Sequence, residues 1–213
     1  MTTFVEIPEY RYKIARRKKV AGVGINDAPY KVTNKKVMCP YYSVWLRMVR
    51  RCYVPFKGWE DCTVHNEWHY FMHFRKWMEA QDWKNKCLDK DILVLGNKEY
   101  GPNTCVFVST YVNSIFQKYM ENRKMPKGIR FDKNCKKYHA RFGTLGINIS
   151  LGYFSSILEA NDAYIKAKAQ ILADEFKNIS DTRVKNGLFN LLVDLNTINK
   201  NRIDKMYSSI KSY

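Results

Sequence analysis

The sequence lacks the features that mark secreted, membrane-spanning and disulfide-stabilised proteins. It has no run of eighteen apolar residues, so we expect no membrane-spanning helix. Acidic residues occur before the first apolar stretch, so we expect no secretory signal. The six cysteines include no Cys-x-x-Cys pair. Without an export signal, they are expected to be reduced thiols in a cytoplasmic protein.

Acidic residues are scarce beside basic ones. Lys and Arg number 37 against 20 Asp and Glu, which gives a net charge of +17 at pH 7. Self-repulsion makes such an excess costly, so its expected use is a polyanionic partner, either nucleic acid or an anionic membrane. A membrane partner would require an apolar span, a lipidation signal or a basic amphipathic helix. We find none of these, so the sequence favours nucleic acid.

The apolar fraction of 46% is enough to build a core. Residues 1–39 are a basic segment with a tight turn predicted at Gly22–Asp27. Beyond it, apolar residues at helical spacing predict helices over Pro40–Cys52 and Val64–Ala80. Strands are predicted at Leu88–Val94 and Cys105–Val108, followed by a helix at Tyr111–Met120. The predicted parts are therefore 1–39, 40–120, 121–173 and a helical tail at 174–213.

The clearest pattern lies in the third part, where apolar and polar residues alternate in three short stretches. Alternation predicts three strands, each with one apolar and one polar face. Ser156 and Glu159 form a capping box, so a helix should begin there and cover the apolar face. The polar face and its flanks are the candidate nucleic-acid surface. Its predicted DNA-binding residues are Arg123, Lys124, Lys127, Arg130, Lys137, His139, Arg141 and Asn148.

Two further clusters could bind a metal ion. Asp89 and Asp91 occupy alternate positions of a predicted strand, so their carboxylates would share one face and could hold Mg²⁺ or Mn²⁺ for phosphodiester hydrolysis. The alternative is a solvated strand edge. His65, His69 and His73 recur every four residues, which on one helix would align them in a column. That column could bind a metal or contact phosphates, or it could be three unrelated histidines on a basic helix.

Five stretches resemble phage-encoded HNH-type homing endonucleases. They are Tyr42–Tyr53, Cys62–Trp68, Phe71–Trp77, Leu88–Asp91 and Asn97–Phe107. The resemblance implies a strand–loop–strand–helix unit that carries a nuclease metal site. The chain departs from that pattern at three positions. Lys90 stands where a general-base His is expected, Thr104 stands where an Asn is expected, and Asn113 is the nearest polar residue to the missing helix His.

A further set of stretches looks like an AP2 domain. It comprises Gly128–Arg130, Lys137–Arg141, Leu151–Phe154 and Glu159–Tyr164. The resemblance implies a three-stranded antiparallel sheet that packs on one helix and enters the DNA major groove. The order of the two modules is similar to that of nuclease-plus-AP2 phage proteins, which would place the protein in the host cytoplasm.

The sequence thus predicts an α+β protein that binds double-stranded DNA. In the leading interpretation it is an HNH-like endonuclease that cleaves with a divalent metal at Asp89 and Asp91, with His65 and His69 as the alternative metal site. The main alternative is a DNA-binding protein without catalysis, which acts as a regulator or inhibitor of a host DNA transaction. RNA binding is less favoured because the polar sheet face shows no aromatic residues for stacking. The oligomeric state is left open.

Overall fold

A computed structural model describes residues 3–55, 61–115, 125–144 and 147–211. The chain divides into two compact units, residues 1–108 and 109–213. Both contain helices and small sheets, which confirms the predicted α+β class. This division falls after Val108, and the predicted boundary between 120 and 121 lies outside the described residues. Across the described ranges, every helix is too short or too polar to cross a membrane.

In its described residues, the first unit holds three α-helices, one 3-10 helix and six short strands around an aromatic core. In chain order they are α1 (Arg11–Ala15), β1 (Thr33–Asn34), β2 (Val37–Met38), α2 (Pro40–Tyr53), β3 (Thr63–Val64), a 3-10 helix (Asn66–His69), α3 (Phe71–Glu79), β4 (Lys86–Asp89), β5 (Glu99–Tyr100) and β6 (Val106–Ser109). The strands pair as β1 with β2, β3 with β5 and β4 with β6.

Helix α2 carries the centre of this core. Pro40 begins the helix at a position where its missing N–H costs nothing. Trp45 is fully buried, and its indole N–H donates to the Trp68 carbonyl oxygen at 2.7 Å. Gly24 lies against the Trp45 ring, where an added Cβ would come within 2.9 Å. The predicted turn at Gly22–Asp27 therefore also provides a close contact with the core.

The predicted helix over Val64–Ala80 is wrong in its first half. Thr63–Val64 is a strand paired with Glu99–Tyr100, and α3 begins only at Phe71. The break lies at Tyr70, which is extended and forms a bridge with Ile25. Ile25 donates its N–H to His69 and accepts one from Phe71. These contacts with a distant part of the chain replace the hydrogen bonds that a continuous helix would make.

The N-terminal segment is part of the same unit. Ala28, Tyr30 and Cys39 lie in its buried core. The Arg17 guanidinium donates to the backbone oxygens of Asn26, Ala28 and Tyr30 at 2.8–2.9 Å, so it ties the basic run to that core. Residues 1–39 are therefore not a separate appendage.

Over the part of it that the structure describes, the second unit contains one sheet and three helices. They are α4 (Thr110–Ile115), β7 (Ile129–Asp132), β8 (Lys137–Thr144), β9 (Ile147–Phe154), α5 (Ile157–Phe176) and α6 (Thr182–Lys211). The three strands form an antiparallel sheet in the order β7–β8–β9, as the alternation predicts. Helix α4 packs against β8, so it belongs with this sheet and not with the strands that precede it.

Helix α5 covers the inner face of the sheet. The capping box is present: the Ser156 hydroxyl accepts the Glu159 N–H at 3.1 Å, and the Glu159 carboxylate accepts the Ser156 N–H at 3.3 Å. Ile157 and Ala160 on α5 share a buried cluster with Ile129, Ala140 and Ile203. Burial of this apolar face is the main stabilising contribution to the unit.

Helix α6 packs on α5 through an apolar stripe and a buried amide pair. The spacing of Leu188, Leu191, Leu192 and Leu195 in the sequence predicts a packing stripe, and Leu188, Leu192 and Leu195 are buried. The Asn199 side chain donates to Asn161 on α5 at 2.7 Å, and neither side chain is exposed. The predicted helical tail is thus an integral part of the second unit.

Gly128 precedes β7 at a position that only glycine fits. Its φ is +78°, and its carbonyl accepts the Arg141 N–H at 2.7 Å. An added Cβ would overlap the Tyr164 ring and lie 2.7 Å from the Arg141 carbonyl oxygen. Both the backbone conformation and the space therefore exclude a side chain.

We expect Gly128→Ala to lower the free energy of unfolding of the second unit by about 3 kcal/mol or more, because strain adds to a steric clash. Gly22→Ala is the matched control, with φ +80° and no atom within 4 Å of the added Cβ. It should cost only about 1 kcal/mol. Chemical denaturation of both variants measures the difference, and equal losses would show that the clash is relieved.

Lys168 is a buried cation that the predicted apolar stripe of α5 missed. Helical spacing in the sequence predicts an inward apolar stripe of Ile157, Ala160, Tyr164, Ala167 and Ile171. In the structure, Lys168 and Leu172 occupy the buried positions that follow Tyr164. The Lys168 ammonium donates to the Ile115 carbonyl at the end of α4, and it lies 5.6–5.8 Å from the centres of the Tyr164 and Phe142 rings. Burial lowers the pKa of Lys168 to about 7, and the charge of Lys127 acts in the same direction.

This burial predicts a pH-dependent stability. The unfolded chain keeps the Lys168 proton up to its ordinary pKa of 10.5, whereas the folded protein releases it near 7. Between these values the unfolded state binds more protons, so the free energy of unfolding should rise with pH, by about 2–3 kcal/mol from pH 7 to 9.5. Lys168→Met should lose this rise, while the exposed Lys166→Met should keep it. Denaturant titrations at several pH values test this, and an unchanged rise in Lys168→Met would contradict it.

Candidate nucleic-acid interface

The register of the sheet decides which side chains share its outer face. Arg130 pairs with His139, and His139 pairs with Tyr153. Residues directly opposite each other in a sheet point to the same side. Asp132 likewise pairs with Lys137, Arg141 with Ser150, and Gly143 with Asn148. Five predicted residues therefore lie on one face: Arg130, Lys137, His139, Arg141 and Asn148.

A β-bulge shifts the β8–β9 register between Ala140 and Arg141, but the residues on either side of it keep the same outer face. Leu151 is the unpaired residue opposite this step, and it packs against the inner core. Gly152, with a φ of +116°, follows it. Bulges bend a strand and increase its local twist. Arg141 and Asn148 consequently stay aligned with Arg130 and His139 along a curved surface.

His139 is buried in the middle of the outer face. The Tyr153 ring stacks on it with centroids 4.3 Å apart and planes inclined by 9°. Its Nε2 is 2.9 Å from the Ser150 hydroxyl, whereas its Nδ1 is buried and has no hydrogen-bond partner in the described ranges. Desolvation, together with Arg130 and Arg141, lowers the pKa of His139. A neutral imidazole thus supports the Tyr153 ring.

Tyr153 is the outer-face residue that the sequence interpretation missed. Its side chain is 48% exposed beside the cations. Alternation in the sequence predicts a third strand over Ile147–Leu151, whereas β9 continues to Phe154. Gly152, Tyr153 and Phe154 continue the strand alternation with Tyr153 on the outer face, and this pattern could have located Tyr153. The bulge at Leu151 shifts the period by one residue and hides it.

The exposed charges of this face are mostly positive. Lys137 and Arg141 are exposed, and no salt bridge engages either one within the described residues. Arg130 is also exposed and lies 3.7 Å from Asp132. Asp132 is held by the backbone N–H of Asn134, which lowers the pKa of its carboxyl. Three cations therefore face solvent with a single carboxylate between them.

Of the three flanking predicted residues, the structure describes only Lys127. Arg123 and Lys124 lie outside the described residues. Lys127 is partly buried before β7, and its backbone N–H donates to the Asn199 side chain at 3.2 Å. Lys127 is therefore tied to α6 and is not aligned with the outer strand positions.

Asp89 and Asp91 do not share a strand face, so the geometry predicted for a metal site there is wrong. Strand β4 ends at Asp89, whose carboxylate accepts the N–H groups of Asp91 and Ile92, both at 2.8 Å. Such side-chain bonds to the following backbone stop a strand and form a turn. Burial raises the pKa of the Asp89 carboxyl.

Asp91 is engaged by the neighbouring lysine. The Lys90 ammonium lies 2.5 Å from the Asp91 carboxylate and donates to the Asn97 carbonyl at 2.7 Å. Lys90 is only 1% exposed, although a regular strand would have turned it to the opposite face from Asp91. Both carboxylates therefore have structural partners in this loop.

The three histidines are also separated, because the helix that would have aligned them is broken at Tyr70. His69 Nε2 lies 3.2 Å from the Tyr53 hydroxyl, and the His73 ring lies against Tyr70. His65 Nδ1 is buried without a hydrogen-bond partner in the described part of the chain. Among the described residues, no three His, Cys, Asp or Glu side chains are placed to hold a metal ion.

Comparisons with protein-family models, curated protein sequences and solved structures found no match to this chain.

We expect Asp89→Ala and Asp91→Ala each to lower the free energy of unfolding of the first unit by about 1–3 kcal/mol. The first leaves two backbone N–H groups without their acceptor, and the second leaves a buried lysine without its counter-ion. Asp61→Ala is the control, since Asp61 lies 3.5 Å from Lys98 in an exposed pair and should change stability by less than about 0.5 kcal/mol. Variants with wild-type stability that have lost a Mg²⁺-dependent nicking of supercoiled plasmid would instead support the predicted metal site.

Proposed function

We propose that this protein binds double-stranded DNA through the outer face of the sheet in its second unit. The observation that carries the proposal is the alignment of Arg130, Lys137 and Arg141 on one exposed face. Arginine can donate two hydrogen bonds to the edge of a guanine, and lysine neutralises phosphates.

The size of the sheet supports this mode of binding. Three strands at the usual spacing span about 10 Å between the axes of the outer two. The major groove of B-DNA is about 12 Å wide. With α5 packed against the inner face, the outer face is the side that can enter a groove. The curvature from the bulge would help the strands follow the groove.

Additional cations stand at the turn between β7 and β8. Lys133 and Lys136 are exposed there, next to Lys137. A turn at the edge of an inserted sheet lies near the sugar–phosphate backbone, where lysines fix register without reading sequence. The proposal therefore assigns base contacts to Arg130 and Arg141, and phosphate contacts to the three lysines.

Within this proposal, DNA binding without hydrolysis at Asp89 and Asp91 is favoured over the endonuclease interpretation. The specific observation is that both carboxylates are occupied by the loop, one with backbone N–H groups and one with Lys90. Endonuclease activity with Mg²⁺ or Mn²⁺ stays a prediction. A regulator or inhibitor that occupies DNA needs only the sheet face.

Tyr153 bears on the choice between duplex DNA and RNA. One face of its ring is covered by His139, so at most one base could stack on it. Sequence-specific RNA binding commonly stacks two or three bases on a sheet. A single half-covered ring among cations fits a contact with a thymine methyl or a sugar better.

The test starts with a duplex that the wild-type protein selects from a random library. Arg130→Ala and Arg141→Ala should each weaken binding to it by about 1–3 kcal/mol and relax the preference at one base pair. Lys137→Ala should weaken selected and scrambled duplexes equally and reduce the salt slope by about 0.9. Fluorescence anisotropy titrations at several salt concentrations give these quantities.

Lys200→Ala is the matched control, because Lys200 is exposed on α6 and outside the sheet. It should leave affinity and preference unchanged. Duplex binding that does not vary between about 50 and 200 mM salt would contradict the proposal, since phosphate contacts release counterions. If the arginine and lysine substitutions weakened binding to all sequences equally, the outer face would be a non-specific electrostatic surface.

A further inference from the structure

The basic run of the first unit has no role in the proposed sheet interface. Residues 10–19 contain six cations and no acid. Five of the cations are exposed, and within the described residues no salt bridge engages them: Arg11, Lys13, Arg16, Lys18 and Lys19. The two nearest acids in the sequence are already paired, Glu9 with Arg17 and Glu6 with Arg75. This is a concentration of uncompensated positive charge.

Two exposed tyrosines lie among these cations. Tyr10 and Tyr12 are 72% and 55% exposed, and their rings stack with centroids 5.9 Å apart. The Lys13 ammonium lies 5.9 and 6.0 Å from the two ring centres, and the Arg16 guanidinium lies 5.9 Å from that of Tyr12. An aromatic side chain gains stability when it is buried, so two rings left in water at a basic surface indicate a partner.

The segment is held firmly on both sides. Before it, Glu9 donates its N–H to Pro29 at 3.0 Å, and Lys31 donates to Ile7 at 2.9 Å. After it, Arg17 is anchored by the backbone oxygens of the core and by Glu9 at 2.6 Å. The rings and cations are thus presented on a fixed backbone, which lowers the entropic cost of binding.

We propose that Tyr10, Tyr12 and the five surrounding cations form a binding surface for single-stranded nucleic acid. Exposed rings bind bases by stacking, which requires bases that are free of a duplex, and neighbouring cations follow the phosphates. Paired bases in a duplex offer their edges and backbone, not their faces. This surface is therefore distinct in chemistry from the sheet face, and it does not rest on the duplex proposal.

The experiment uses the full chain and fluorescein-labelled oligonucleotides of about 20 nucleotides, longer than the usual site for such surfaces. Deoxythymidine and uridine homopolymers distinguish DNA from RNA, and binding to either one supports the proposal. Tyr10→Ala combined with Tyr12→Ala should weaken binding at least tenfold. Tyr10→Phe combined with Tyr12→Phe keeps the rings and should stay within about twofold of wild type.

Three controls make the result specific. Tyr207→Ala removes a tyrosine on α6 that is 43% exposed, and it should have no effect. Arg130→Ala with Arg141→Ala should leave homopolymer binding intact, whereas the Tyr10 and Tyr12 variants should leave duplex binding intact. The proposal is overturned if the alanine pair binds like wild type, if the phenylalanine pair is equally weak, or if the sheet variant loses the homopolymer. Binding to phosphatidylserine vesicles but not to homopolymers would also overturn it.

Discussion

The second unit depends on the close contact between α5 and the inner face of the sheet. Ala140 on β8 and Ala160 on α5 are both completely buried in the same cluster, and such small side chains let a helix approach a strand closely. Gly128 continues this close packing at the start of β7, where the Tyr164 ring leaves no room for a Cβ. Because the apolar residues of the strands pack against α5, the polar residues that alternate with them must face outward. The sidedness of the candidate interface is thus a consequence of core packing.

The charge excess divides into cations with structural partners and cations without them. Arg17 satisfies three backbone oxygens, Arg75 contacts Glu6, Glu79 and the Tyr30 hydroxyl, and Lys90 is buried against Asp91. These residues hold loops together, so they add to the net charge without being available to a ligand. Within the described residues, no salt bridge engages Lys137 and Arg141 on the outer sheet face or the five exposed cations around Tyr12. Their mutual repulsion is unfavourable until a polyanion neutralises it, which is why position and partnership identify a binding surface better than the net charge does.

Local signals predicted the sheet well and the backbone around the candidate metal residues poorly. Alternation located all three strands, and the capping box located the first residue of α5, since both depend on neighbours in sequence. The Asp89 and His69 predictions assumed a regular strand and a regular helix. The Asp89 side chain instead ends its strand by binding the next two N–H groups, and the backbone around Tyr70 pairs with Ile25, about 45 residues away. The Asp89 hydrogen bonds compete with the strand pattern of the local sequence. The pairing of Tyr70 with Ile25 is a long-range contact, so no short stretch of sequence contains both residues.

The two candidate surfaces differ in what they offer a nucleic acid, and this difference follows from their construction. On the sheet, the pleat fixes Arg130 and Arg141 at regular spacing, and the one exposed ring, Tyr153, is backed by His139. Such a surface is suited to contact the base edges and phosphates of a double helix. Around Tyr12 the rings project from a five-residue helix and its start, with cations on both sides. Bases can reach those rings only when they are unpaired.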